Sequence, residues 1–211
     1  MRKKLLLKNI PSTLLILLIS LICIVTSSCT SNVSKTNDID ELTKGLPEGT
    51  IYQVISGSLE MFDIEKLIKG AEVIVVGKVS TILPSEYGPG FNPSRTTTIH
   101  TDAIIEVYQY LYGQSEEKQL VVRTLGGRVG NDVLIIETQP QFTVGEEVIL
   151  FLTHVDLQPD EIPEGAQSVY KVVGSMQGKA EYTNGRAASS ILGFNYSIAQ
   201  LTDIISRAKG E

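Results

Sequence analysis

The sequence has few of the residues on which most catalytic and metal sites depend. It contains two cysteines and two histidines, Cys23, Cys29, His100 and His154. Neither histidine is spaced from other histidines, cysteines or carboxylates in the pattern of a zinc site. No serine lies in a Gly-x-Ser-x-Gly elbow, so acyl-transfer chemistry has no support. We therefore predict no catalytic residue, no metal and no cofactor, and an enzyme is not the favoured class.

A long hydrophobic run is also missing. The longest one, residues 14–25, is apolar apart from Ser20, and it is shorter than the roughly 20 residues that span a bilayer. It follows a basic start at residues 2–8 and precedes small residues at 26–28. This order is typical of a secretory signal peptide. An uncleaved signal anchor is the alternative.

Cys29 stands directly after the small residues Ser27 and Ser28. This arrangement resembles the lipobox of bacterial lipoprotein signals. The resemblance implies that a lipoprotein signal peptide, residues 1–28, is removed and that the thiol of Cys29 receives a diacyl group of the palmitate type. Two or three acyl chains hold a protein stably at a membrane. We therefore expect a protein anchored to the cell membrane and facing outside the cytoplasm, with an ordinary secretory signal as the alternative.

Basic residues are scarce in the mature chain. The sequence has 18 basic and 24 acidic residues, and cutting before Cys29 removes four basic and no acidic ones, which leaves a formal charge of −10. Such a surface is repelled by nucleic-acid phosphates and anionic lipid headgroups. Nucleic acid is thereby excluded as a partner, and contact with the membrane comes from the lipid on Cys29. With Cys29 acylated, disulfides and thiolate sites are excluded as well.

The mature chain has two parts. Residues 30–50 are rich in Ser, Thr, Asn, Asp, Lys and Gly, with few apolar residues and no sustained periodicity. A segment of this composition does not bury enough surface to offset its ordering entropy. We predict a flexible tether over residues 29–55 and a single domain over residues 56–211.

Hydrophobic periodicity predicts a mainly β domain. "SLEMFDIEKLIKGA" predicts a helix with Asp63 as N-cap, and "SIAQLTDIISRAK" predicts a C-terminal helix with Ser197 as N-cap. Five strands are predicted over "AEVIVVGKVSTIL", "TTTIHTDAIIEVYQYLYG", "QLVVRTL", "DVLIIET" and "EEVILFL". A hairpin or bent strand is predicted over "SVYKVVGSMQGKAEY". Many short strands with glycine bends favour a small antiparallel OB-like β-barrel, with one helix before the first strand and one at the C-terminus.

Several of these segments, "AEVIVVGKV", "EVYQYLYG", "LVVRTLGGRVG" and "FTVGEEVILFL", resemble the OB-fold domain of tissue inhibitors of metalloproteinases and netrin-like modules. Uncharacterised secreted prokaryotic proteins with the same barrel are similar too. The similarity covers roughly Ile64 to Leu152 and implies an OB barrel. It does not imply the inhibitor activity, because those inhibitors chelate the protease zinc through a free amino-terminal cysteine within a disulfide-bonded edge.

The predicted surface features suggest binding rather than catalysis. Alternation places Tyr108, Tyr110 and Tyr112 on one strand face, where aromatic rings can stack on sugars or hold a peptide. Cover by the terminal helix is the alternative. "GGRVG" precedes a strand rather than a helix, so a turn is favoured over a phosphate cradle. The acidic segment 156–164 lacks EF-hand spacing, so a solvated loop is favoured over a calcium site.

From these features we expect a membrane-anchored extracytoplasmic binding module that recognises a protein or an envelope glycan. A metal-dependent envelope enzyme and a protease-inhibitor-like module are the alternatives.

Overall fold

A computed structural model describes residues 49–91, 97–113 and 117–210. Cys29, the signal peptide and most of the predicted tether lie outside these residues. The described elements follow in chain order: β1 (Ile51–Ile55), α1 (Ile64–Gly70), β2 (Val73–Ile82), β3 (Glu86–Gly88), β4 (Thr98–Tyr112), β5 (Gln119–Leu125), β6 (Gly127–Val129), β7 (Asp132–Ile136), β8 (Glu147–His154), a 3-10 helix (Pro159–Glu161), β9 (Val169–Val172), a second 3-10 helix (Ser175–Gly178), β10 (Lys179–Thr183), β11 (Arg186–Ser189), β12 (Phe194–Ser197) and α2 (Ile198–Lys209).

Five of the strands close into a barrel. Neighbouring strands follow in the order β8, β2, β4, β5, β9, and the pairing of β9 with β8 closes the barrel. The pairs are antiparallel except for β5 with β9, which is parallel. Closure leaves no unpaired edge among these strands. The predicted fold class is confirmed: the domain is mainly β, with a small OB-like barrel, one helix before the first barrel strand and one at the C-terminus.

Both helices begin at the predicted N-caps. The side chain of Asp63 accepts a hydrogen bond from the backbone N–H of Lys66 at 2.7 Å. Ser197 and Gln200 form a reciprocal capping box at the start of α2. Such caps satisfy backbone donors that the first helical turn leaves unpaired. Among the described residues, no helix has both the length and the apolar character needed to cross a membrane.

Two hydrophobic cores lie on opposite sides of the barrel wall. The first fills the barrel, with Val75, Ile105 and Leu150 among its fully buried members. The second lies outside β2 and β8, where α1, α2 and the strands β10 to β12 cover the wall. Because both faces of β2 and β8 are buried, these strands have the nearly continuous apolar sequences "VIVV" and "VILFL".

A smaller sheet of β1, β7 and β6 lies beside the barrel sheet. Residues 51–55, which the sequence analysis assigned to the tether, form β1 and pair in parallel with β7. Four of the five β1 residues are exposed, so backbone hydrogen bonds rather than burial hold this strand. Its sequence "IYQVI" is rich in β-branched and aromatic residues, a strand signal that the assignment to the tether overlooked. The sequence predicts a turn over "GGRVG", but residues Gly127–Val129 form the strand β6, which pairs with β7. The turn of this hairpin is at Gly130 and Asn131.

Candidate functional site

The three tyrosines predicted to share a face of β4 are separated by β-bulges. The register with β2 skips one residue of β4 at Tyr108 and another between Tyr110 and Tyr112. A bulge adds one residue to a strand and changes which face the following side chains occupy. The simple alternation on which the predicted tyrosine surface depends is therefore interrupted twice.

Each tyrosine consequently has different surroundings. Tyr108 is 49% exposed. Tyr110 packs against the barrel interior, and its hydroxyl donates to the carbonyl of Glu117 at 2.8 Å. Tyr112 packs against the outer core, with the ammonium of Lys209 in α2 4.0 Å from its ring centroid. The structure does not bring the three rings together, and a ligand-binding role for any of them stays a prediction.

A buried ion pair lies on the outer face of β4 and β5. The register sets Asp102 opposite Arg123, and the guanidinium donates from Nε to Oδ1 and from Nη2 to Oδ2, both at 2.9 Å. The two residues are 3% and 1% exposed. Burying two charges is costly unless they are well paired, and a bidentate arrangement is the geometry that offsets most of this cost.

His100 lies two residues before Asp102, and its ring is also buried. Nε2 is 3.2 Å from Oε1 of Glu86, the residue opposite His100 in the β3–β4 pair. Gly88 lies against the ring, where an added Cβ would be 2.6 Å from Cε1. Burial, followed by the positive charge of Arg123, lowers the pKa of His100. The imidazole is therefore neutral at pH 7.

Two buried nitrogens of this group have no hydrogen-bond partner among the described residues, Nδ1 of His100 and Nη1 of Arg123. Buried polar atoms in folded proteins are nearly always paired. Each unpaired one costs about 1–3 kcal/mol. A group that retains such atoms in a fold otherwise rich in hydrogen bonds is a site to examine for function.

A pocket of about 410 Å³ opens above this group. Its floor includes His100 and Asp102 from β4. One wall is residues 83–86, between β2 and β3 and at the start of β3, and the other contains Pro163 and Glu164 from the connection between β8 and β9. Three acidic residues, Glu86, Asp102 and Glu164, therefore line the pocket together with His100.

The acidic segment 156–164 forms part of the pocket wall rather than a free loop. Its apolar residues Leu157 and Ile162 pack on a small cluster around Val121 and Val169, on the outer face of β5 and β9. Its charged side chains point outward, as the exposure of Asp156, Asp160 and Glu164 shows. The exposed charges are consistent with the predicted solvated loop. The sequence analysis did not predict that Leu157 and Ile162 attach this segment to the barrel.

Sequence reasoning did not single out the residues at the pocket floor as a site. Asp102 lies in the alternating strand β4 and Arg123 in the mostly apolar strand β5. Opposite charges placed in two neighbouring strands of this kind are the signal from which a buried pair can be suspected.

The second histidine belongs to a different, exposed group. Glu72 accepts hydrogen bonds from the backbone N–H of His154 at 2.7 Å and from its Nδ1 at 2.9 Å. Oγ1 of Thr153 donates to the same carboxylate oxygen at 2.9 Å. These bonds, the backbone one first, lower the pKa of Glu72. Among the described residues, no third metal-ligating group accompanies this pair.

No model of a known protein family matches the sequence, and no curated protein is detectably similar to it. The function must therefore be argued from the barrel and its pocket.

Proposed function

We propose that the chain is a binding module, anchored to the outer side of a cell membrane through Cys29, that binds an envelope glycan in the pocket above His100 and Asp102. The observation that carries this proposal is the position of the pocket. OB folds bind oligosaccharides and oligonucleotides on the face of their second and third strands, between the loop that joins strands 1 and 2 and the loop that joins strands 4 and 5. In this barrel those strands are β4 and β5.

The pocket walls correspond to the same two loops. Residues 83–86 belong to the connection from the first barrel strand to the second, and Pro163 and Glu164 belong to the connection from the fourth to the fifth. Both connections therefore meet over β4, as they do in OB folds that bind extended polymers. The position of the pocket between these two connections supports the location of the ligand, and the lining residues indicate the chemistry of the ligand.

The lining favours a sugar over a nucleic acid. Glu86, Asp102 and Glu164 make the pocket lining acidic, and ionised carboxylates only accept hydrogen bonds. Sugar hydroxyls and amino groups supply the complementary donors, whereas phosphates are repelled by the same charges and by the overall acidic chain. The proposed ligand is therefore a neutral or amine-bearing glycan rather than a teichoic-type polyanion or a nucleic acid.

Binding to the pocket can be tested with a glycan array and isolated envelope polysaccharides. The probe is the full chain with Cys29→Ser, which removes the proposed lipid site. We expect Glu86→Gln together with Glu164→Gln to weaken binding at least tenfold. The matched control is Glu60→Gln with Glu65→Gln, which removes two exposed charges near α1. Equal binding by both double variants would contradict the pocket as the glycan site.

The tyrosine surface is tested in the same assay. If Tyr108→Ala with Tyr110→Ala abolishes binding in a folded protein while the pocket variants bind normally, the ligand lies at β4 beyond the bulges and not in the pocket. Capture of a protein partner that is insensitive to added glycan would replace the glycan by a protein ligand.

The anchor is tested separately by metabolic labelling with a fatty acid. We expect label in the wild-type chain and none in Cys29→Ser. Equal incorporation into the two proteins would rule out lipidation at Cys29 without affecting the proposed glycan site.

A further inference from the structure

Three side chains, two at the floor of the pocket and one at its wall, are placed so that they can share one cation. One ligand atom from each of Glu86, His100 and Asp102 lies within 4.8 Å of the other two. We propose that these residues bind a divalent transition-metal ion, with zinc as the preferred ion. The inference goes beyond the proposed function, because it does not require that a glycan bind in the pocket.

One pair of ligand atoms is already close to the spacing that a common ion requires. Zinc bonds of about 2.0–2.2 Å in tetrahedral geometry place neighbouring ligand atoms about 3.3–3.6 Å apart. Nε2 of His100 and Oε1 of Glu86 are already 3.2 Å apart. The Glu86 side chain is 66% exposed, so it can rotate to accommodate the ion, whereas His100 and Asp102 are held within the sheet.

The charges also fit a divalent cation. The group contains two carboxylates and one guanidinium, and Glu164 adds a further negative charge at the pocket wall. Arg123 occupies one position on each oxygen of Asp102, while an ionised carboxylate has about four acceptor positions. Asp102 therefore retains acceptor capacity for a metal, and Arg123 holds its carboxylate in place as outer groups hold metal ligands.

The imidazole of His100 is available as a ligand. The ring is 2% exposed, and apart from the contact of Nε2 with Glu86, its nitrogens make no hydrogen bond in the described part of the chain. A histidine with only a structural role is normally fixed by partners on its polar atoms. A metal ion in the place of the shared proton between Nε2 and Glu86 would bind both groups in their deprotonated forms.

One nitrogen and two carboxylate oxygens are the ligand types that zinc and manganese take in proteins. Three protein ligands also leave the fourth tetrahedral position free, as in catalytic zinc sites. All three residues line the pocket of about 410 Å³, from which a water molecule or a sugar hydroxyl can supply the fourth ligand.

Zinc binding by the full chain with Cys29→Ser, first stripped with a chelator, tests the inference by isothermal titration calorimetry with zinc chloride alone. We expect one zinc ion per chain in the reference protein. We expect at least a tenfold loss of affinity in Glu86→Gln and in His100→Gln. Glu86→Gln is the decisive variant, since the exposed carboxylate can be replaced without disturbing the buried core, and circular dichroism checks that it is folded.

The matched control is His154→Gln, which removes the only other histidine and breaks the exposed pair with Glu72. We expect its zinc affinity to equal that of the reference protein. Replacement of zinc by cobalt should give the intense visible absorption of a tetrahedral site, and Glu86→Gln should lose it. The inference is overturned if the reference protein binds no stoichiometric zinc, or if His154→Gln loses binding while folded Glu86→Gln retains it.

Discussion

Replacing Asp102 by Leu should lower the free energy of unfolding by about 3–5 kcal/mol, because it leaves the Arg123 guanidinium charged, buried and unpaired. Asp102 and Arg123 are 3% and 1% exposed, so water does not take over the two hydrogen bonds at 2.9 Å. Nη1 of Arg123 already has no partner among the described residues, so the variant would leave all of the guanidinium unsatisfied. For a domain of this size, the loss corresponds to a decrease of about 6–20 °C in Tm.

Arg123→Met should cost less, towards the lower end of that range. The abandoned carboxyl of Asp102 can take up a proton and become neutral, whereas a guanidinium remains charged. The double variant Asp102→Leu with Arg123→Met should be more stable than either single variant. It removes both charges and fills the space with apolar atoms, and replacing a complete buried ion pair in this way is often neutral.

The assay is urea unfolding of all four proteins, followed by circular dichroism at neutral pH with a chelator present. The chelator excludes any contribution from bound metal to the comparison. We expect a coupling free energy of several kcal/mol between the two positions, well above the roughly 0.5 kcal/mol within which independent substitutions add. If the cost of the double variant equals the sum of the two single costs, the buried pair does not exist as described.

Three further outcomes test other parts of the structure. Burial lowers the pKa of His100 below the usual 6.5, so the unfolded chain takes up a proton first as the pH falls. The free energy of unfolding should therefore decrease below about pH 6.5. In urea unfolding, His100→Gln should show a smaller change of this free energy with pH, and an unchanged pH dependence would contradict the buried neutral imidazole. Gly127 has φ of +129°, and an added Cβ would overlap two side-chain hydroxyls, so Gly127→Ala should lower Tm clearly more than Gly130→Ala, where φ is +59° and the space is open. Leu201→Ala in α2 should lower the free energy of unfolding by about 2–5 kcal/mol, because Leu201 is fully buried. The control Thr202→Ala, at an exposed position of the same helix, should change it by less than about 0.5 kcal/mol. Equal effects would mean that α2 is not packed on the outer core.

The main elements of the fold were predictable because their signals are local. The helices α1 and α2 have apolar residues at helical spacing and side-chain caps, and the barrel strands are β-branched runs bounded by glycine turns. The short strands β3 and β6 contain three residues each, which is too few to show a period. The strands β11 and β12 have the mixed sequences "RAAS" and "FNYS", which show no clear alternation from which a strand could be predicted.

The site was less predictable because it depends on register. Alternation along β4 predicts one face for Tyr108, Tyr110 and Tyr112, and only the pairing with β2 shows that bulges separate them. Asp102 and Arg123 are 21 residues apart, and they meet because β4 and β5 pair in one particular register. A shift of one residue in that register would turn one of the two side chains to the other face. A single sequence does not specify register at this precision.

The parallel pair that closes the barrel has a consequence for the order of folding. β9 has only four residues, yet it is the strand that joins β5 to β8. It pairs with β5 through Val121 and Val169, which are 48 residues apart in the chain. We expect this contact to form after the local hairpins, because a non-local contact requires the intervening loop to close first. Until β9 arrives, the chain presents two apolar strands, "QLVVRTL" and "EVILFLTH", each with an unpaired edge. Such edges are the usual sites of aggregation between partly folded chains. We therefore expect the yield of soluble protein to depend on how quickly β9 pairs with β5 and β8.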